Sequence, residues 1–331
     1  MGSNQVLRSL FLFVVPASFA SAVTGAFGPG AVASEVSIAT SPSVTRAAFG
    51  PRARFQTGWL SARAKTGKDL VYVSDNNDNL VDIFDARGQN QQPIGQITSG
   101  ISGPYGAATD ESGNLYVANS NNTLTVYPPG STSPSVTYTQ GLSLPIGVVV
   151  HGDGRVYVGN LDGLNVVEYP KGSTTPDRTI SFSSLEGNSP FGLALDSSGN
   201  LFVAALGFPN AQAYEVPRKS STPQDLGINT IVVMHGIAID RAGNVLIANQ
   251  GGASVEIFPP GSTSPSMTIT DGLEQPLLIA LNNKQSRLYV GDAGITGNGT
   301  VRVYSYPAGL LIDTITFPRF AVPFGVALSP S

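Results

Sequence analysis

The sequence predicts an all-β protein: a six-bladed β-propeller of four-stranded antiparallel blades, closed by the C-terminal strand joining the first blade. Three observations predict it. A unit of four strand-like runs, GAATD, NLYVAN, TLTVYPP and SVTYTQ, fills residues 104–145 and returns at 235–276 with its turns in the same places. The apolar centre of the second run recurs at Tyr72, Tyr116, Tyr157, Phe202, Leu246 and Tyr289, at spacings of 44, 41, 45, 44 and 43 residues. Four strands at such a period are the mark of propeller blades. Finally, FGVALSPS, beginning at Phe324, is a first strand with no repeat after it, while the repeat around Tyr72 has no equally good first strand before it. Joining the two closes the ring and removes exposed sheet edges at the seam.

Taken in order, the chain begins with Arg8, an apolar run Leu10–Val15 and small residues ending Ala20-Ser21-Ala22. That is the order of a secretory signal peptide, so residues 1–22 are set apart from the fold. An uncleaved anchor is the alternative, although Pro16 makes the run a poor spanning helix. Residues 23–58, rich in Ala, Ser, Gly and Pro, read as a flexible linker. Trp59, the sole tryptophan, marks where the chain docks onto the body, residues 59–331. Export makes the protein secreted, periplasmic or part of the cell envelope, with no membrane span after signal cleavage and a monomeric state expected.

Composition narrows the partners. Apolar residues at 41% suffice for a core, and charged residues at 12% are about half the usual share. The 38 Gly and 24 Pro suit many tight turns. With no cysteine, disulfides and thiolate metal sites are excluded. The net charge of −4 is uneven: residues 1–68 carry +6 and residues 69–331 carry −10. An acidic body argues against nucleic acid as a partner.

Within a blade, alternation sends Leu115 and Val117 of NLYVAN to one neighbouring blade and Tyr116 to the other, both faces being buried. ESGN, SSGN and RAGN place glycine where the first hairpin needs a positive φ. GSTSP at 130–134 and 261–265, with GSTTP at 172–176, forms the turn between third and fourth strands. A rival inner strand for the first blade is Leu60–Lys65 (LSARAK), but it lacks the glycine of its counterparts and carries two cations.

The pattern in DESGNLYVANSNNTLTVY (110–127), DSSGNLFVAA (196–205) and DRAGNVLIAN (240–249) resembles the NHL repeat. It is also similar to the inner strands of the gluconolactonase and senescence-marker superfamily, over about residues 69–331. The resemblance implies the architecture, while such folds host lactonases, lyases and plain binding modules. In gluconolactonase-like enzymes the residue between Pro and Gly at the start of each innermost strand supplies Asn and Asp to a divalent metal. Here that column reads Tyr105, Ile146, Phe191, His235, Leu277 and Phe324. Five apolar residues do not ligate a hard cation, so neither metal nor cofactor is expected.

His235 departs from its column and is either a packed histidine or a general base, metal ligand or ligand-orienting donor. His151 aligns with Asp110, Asp196 and Asp240 at the other end of the same strand, about 16 Å away along extended chain. One ion does not reach both, which excludes a His-rich zinc site like that of amidating lyases. A second column, Asp75, Asn119, Asn160, Ala205, Asn249 and Asp292, just precedes a hairpin, where Asn and Asp bond their own turn backbone rather than calcium. No nucleophile elbow, P-loop, dinucleotide fingerprint or H-E-x-x-H occurs. The glycosylation sequons at Asn121 and Asn298 fall in predicted hairpin turns.

These features point to a non-catalytic binding or scaffolding module with an unknown protein, small-molecule or glycan ligand. His235, Tyr105, Phe191 and Phe324 at the channel mouth are its expected contacts, unless the same side chains plug the channel. The alternatives are a lactonase- or lyase-type enzyme acting at that mouth with His235 and loop carboxylates, and a cell-surface repeat protein tethered by its leader.

Overall fold

The computed structural model describes residues 58–89, 92–185, 188–207, 211–231, 233–295, 299–316 and 322–330. The signal peptide read over 1–22, the linker up to residue 57 and the sequon at Asn298 lie outside the described residues.

Six antiparallel sheets form the blades. Blade 2 shows the plan: Pro104–Thr109 innermost, then Leu115–Asn119, Thr123–Tyr127 and Val136–Tyr138 outward. Blades 3 to 6 repeat it on the inner strands Pro145–Val150, Ser189–Leu195, Met234–Ile239 and Pro276–Leu281. Blade 1 takes its inner strand, Pro323–Leu328, from the C-terminus, paired antiparallel to Leu70–Asp75 with Tyr72 opposite Ala327 and Val73 opposite Val326. Each inner strand starts at one end of the ring, here the mouth end, and each second strand finishes there. The first and third hairpin turns lie at the far end.

Alternation works as the sequence implies. Leu115 and Val117 pack with Leu70 and Tyr72 of blade 1, while Tyr116 and Ala118 pack with Val148 and Val158 of blade 3. Burial on both faces is why these strands read as continuous apolar runs. The far-end turns also follow their residues. Gly113, Gly199 and Gly243 hold φ of 84°, 83° and 83°. The Asp110 carboxylate accepts from the Ser112 and Asn114 N–H groups, both at 2.9 Å. His151 takes that place in blade 3, its Nδ1 accepting from the Asp153 N–H at 3.3 Å. In GSTSP the Ser131 hydroxyl donates to the Ser133 carbonyl at 2.8 Å and accepts from its N–H at 3.1 Å, and Ser173 and Ser262 repeat the motif.

The rival inner strand is overturned. Trp59–Leu60 instead pairs with Gly95–Ile97 on the outer edge of blade 1, giving that sheet five strands. Trp59 Nε1 donates to Gln96 Oε1 at 3.0 Å, holding this short strand on the blade edge. The two cations of LSARAK decide the matter: Arg63 stays at the surface, held by the Asp85 carboxylate at 2.7 Å, and Lys65 lies in an exposed turn of 3-10 helix, Ala64–Thr66.

Candidate functional site

All six inner strands carry a β-bulge at the same place. Between Pro104 and Ala107 two residues, Tyr105 and Gly106, oppose Ala118 alone, and equivalent register shifts occur in blades 1 and 3 to 6. A bulge bends its strand and re-aims a side chain. Here it turns Tyr105, Ile146, Phe191, His235 and Phe324 together at the mouth end, while in blade 6 the residue packed with them is Leu278 rather than Leu277.

The glycine after each bulged residue has a steric cause. A Cβ on Gly106 would lie 2.3 Å from the Ile146 carbonyl oxygen, one on Gly147 2.3 Å from that of Phe191, and one on Gly192 2.3 Å from that of His235. Gly236 meets Leu277 in the same way at 2.6 Å. Each blade thus presses its inner backbone on the next. Blade 6 is the exception, with Leu278 in the glycine position. Its Cδ1 reaches to 3.3 Å from the Cβ position of Gly106, two blades away.

The result is an apolar plug. Ile146, Leu161, Phe191 and Leu206 are buried in one cluster, with Tyr105, Leu144, Val233, Leu278 and Phe324 packed on it and partly exposed. Its rings form a chain. Tyr105 meets Phe324 edge-on at 4.9 Å, Phe324 meets Phe191 at 5.6 Å, and Phe191 stacks on His235 at 4.4 Å. The four residues named from sequence are therefore brought together, with Phe324 and Tyr105 outermost.

His235 is only 6% exposed. Burial lowers its imidazole to about 4, and a hydrogen bond to the Pro276 backbone opposes that without restoring it. The ring is neutral at pH 7, and its buried Nδ1 has no hydrogen-bond partner. Burial also raises the Tyr105 hydroxyl, with the nearby Asp162 charge acting in the same direction and Asn76 against it. His151 sits at the far end of blade 3, so the structure does not bring the two histidines together.

The Asn/Asp column does more than cap its own hairpins. Asp75 and Asn249 accept from Asp78 and Gly252 in the turn that follows them, as the sequence suggests. Asn119 and Asn160 instead accept from Ser102 and Ser143, each at 3.0 Å, in the loop leading into the inner strand of their own blade. Asp292 serves both roles, accepting from Glu274, Gln275 and Gly294. Residues seventeen apart in sequence meet through the fold, which a local turn rule does not see. Among the described residues, no three His, Asp or Glu side chains converge as ligands of one ion.

Sequence reading missed Leu144, Leu161, Leu206, Val233 and Leu278 in the plug. Leu144 had a signal: it precedes Pro145 as Gly103 precedes Pro104, and both adopt positive φ, 49° and 53°. The Asn122 side chain accepts from the Leu144 N–H at 2.7 Å, as Asn79 does from Gly103 at 2.6 Å, tying each blade to the next. A leucine in this region of φ is uncommon and costs about 1 kcal/mol.

The fold and the plugged axis define a six-bladed β-propeller whose mouth end is apolar and aromatic. No family model and no curated protein matches the sequence. Among solved structures, a chain in the crystal structure of a nidogen/laminin complex aligns with a TM-score of 0.67. The alignment covers 78% of this chain and 98% of that one at 15% identity, so the likeness is one of fold alone. The propeller implied by the resemblance to NHL repeats is thereby present, while the narrower NHL or gluconolactonase grouping has no family match.

Proposed function

We propose that this chain is a secreted, NHL-like propeller acting as a non-catalytic binding module, and that the mouth end of its axis is the contact surface. The observation that carries the reading is the plug. Tyr105 and Phe324 present partly exposed rings over buried Phe191 and His235, at the position where a catalytic propeller would present oxygen donors. Amphipathic and aromatic side chains on a rigid base are the usual anchors of protein interfaces. A buried, neutral His235 is better suited to support the Phe191 ring than to exchange protons with a substrate. The solved neighbour comes from a protein–protein complex, which is in keeping with a protein ligand. Secretion rests on the leader pattern at 1–22.

The reading is tested by solvent-accessibility footprinting of the full chain in the presence of its captured partner. Protection centred on Tyr105 and Phe324 is the expected result. Protection confined to the outer strands or the far-end turns would refute it.

A further inference from the structure

Charge on this propeller is sorted by end. The loops at the mouth end carry Asp75, Asp78, Asp162, Asp271, Glu274 and Asp292, and among the described residues no Lys or Arg. Every described Lys and Arg other than Arg302, in the middle of a strand, lies at the far end. Asp162 and Asp271 are exposed, and Asp162 acts electrostatically on Tyr105. Asp75 and Asp292 are buried, so the exposed Asp162 and Asp271 carry the argument. Ile295, 63% exposed, adds an apolar side chain to the same loops, where its N–H is held by the Glu274 carboxylate at 2.7 Å.

We infer that the mouth end docks a cationic protein segment, one that sets an aromatic or aliphatic side chain among Lys and Arg residues. This rests on the binding-module reading above and adds the partner's chemistry. An apolar centre inside a polar rim is the anatomy of a protein interface, and a rim of one sign selects and steers the opposite one. The same sign repels the phosphates of nucleic acid and an anionic membrane surface. A small ligand is disfavoured by shape, because small ligands need concave sites that bury most of their surface. The mouth end of the axis is occupied by the plug, and small clefts lie elsewhere, lined by Tyr72, Leu115 and Tyr127 of blades 1 and 2 and by Val71, Tyr289 and Val303 of blades 1 and 6.

The test uses the full chain and three labelled probe peptides read by fluorescence anisotropy: Lys/Arg flanking a central Phe-Leu pair, Asp/Glu flanking the same pair, and Lys/Arg flanking Ala-Ala. The first is expected to bind best. Its affinity should fall about tenfold or more in Asp162→Lys/Asp271→Lys and also in high salt, but stay within about twofold in the far-end variant Glu111→Lys. Ile295→Ser and Phe324→Ala should weaken it as well, the former being a surface change that spares folding. Equal binding of the acidic peptide, or indifference to the mouth-end reversal, overturns the charge inference and leaves the axial site standing. Equal binding of the Ala-Ala peptide, with no effect of Ile295→Ser or Phe324→Ala, overturns both. Failure of all three peptides to bind also overturns both.

Discussion

Gly325, in the last strand of the chain, lies against Tyr105 in the second blade so closely that a Cβ on it would sit 2.3 Å from the Tyr105 carbonyl oxygen. The same approach links the other glycine-bearing inner strands to their neighbours, so the C-terminal strand stands in the ring as an equal member. Gly325→Ala removes no contact and lengthens no loop. It should still destabilise the protein by about 1–3 kcal/mol, because the backbone must part to admit one methyl group. Urea unfolding of the full chain measures this, and an unchanged midpoint would contradict the close approach.

Leu278 fills the axis where the other blades carry glycine. Leu278→Ala is expected to cost about 1–2 kcal/mol through lost burial, since the side chain is only partly buried. Urea unfolding of the variant beside the unaltered chain measures this, and an unchanged midpoint would contradict the packing of Leu278 on the plug.

His235 makes stability depend on pH in a defined window. Its folded value of about 4 lies below the 6.5 of the free side chain, so the unfolded chain binds the proton more readily. Stability is unaffected above about pH 6.5, falls as pH drops from there to about 4, and loses about 3 kcal/mol by the lower limit. His235→Phe keeps a ring beside Phe191 and should abolish that slope. Asp85, held well below the usual carboxylate range by hydrogen bonds from Arg63 and Arg87, keeps its folded-state advantage until more acidic pH. The two windows separate in a pH series of unfolding midpoints, run on both proteins.

Asn119 is fully buried and bonds Ser102 N–H, the Val117 carbonyl and the Thr125 hydroxyl. Asn119→Ala strands a backbone donor and should cost about 2–3 kcal/mol. Amide exchange at Ser102 should accelerate with it, since that N–H loses its acceptor.

The blade count, the seam at Phe324 and the four grouped side chains at the mouth were legible because each repeats a local pattern at a fixed period. What escaped reading depends on the ring. The bulges appear only when inner and second strands are set in register, and the glycines after them look like turn residues until the next blade's carbonyl is in place. Leu60–Lys65 carries no strand period long enough to announce that Trp59–Leu60 caps an outer edge. Asp162 and Asp271 share an end of the molecule although more than a hundred residues separate them, so their common field was hidden in a modest net charge of −4.

The ring on which the axial surface depends is tested most directly by ending the chain at residue 322 and following urea unfolding beside the full-length protein. Loss of Pro323–Leu328 should remove the inner strand of blade 1 and uncover Val71, Val73 and the plug. The expected result is a midpoint shifted far downward, with the single cooperative transition broadened or split. A shortened chain that unfolds at the same midpoint with the same slope would show that the ring does not close through its C-terminus.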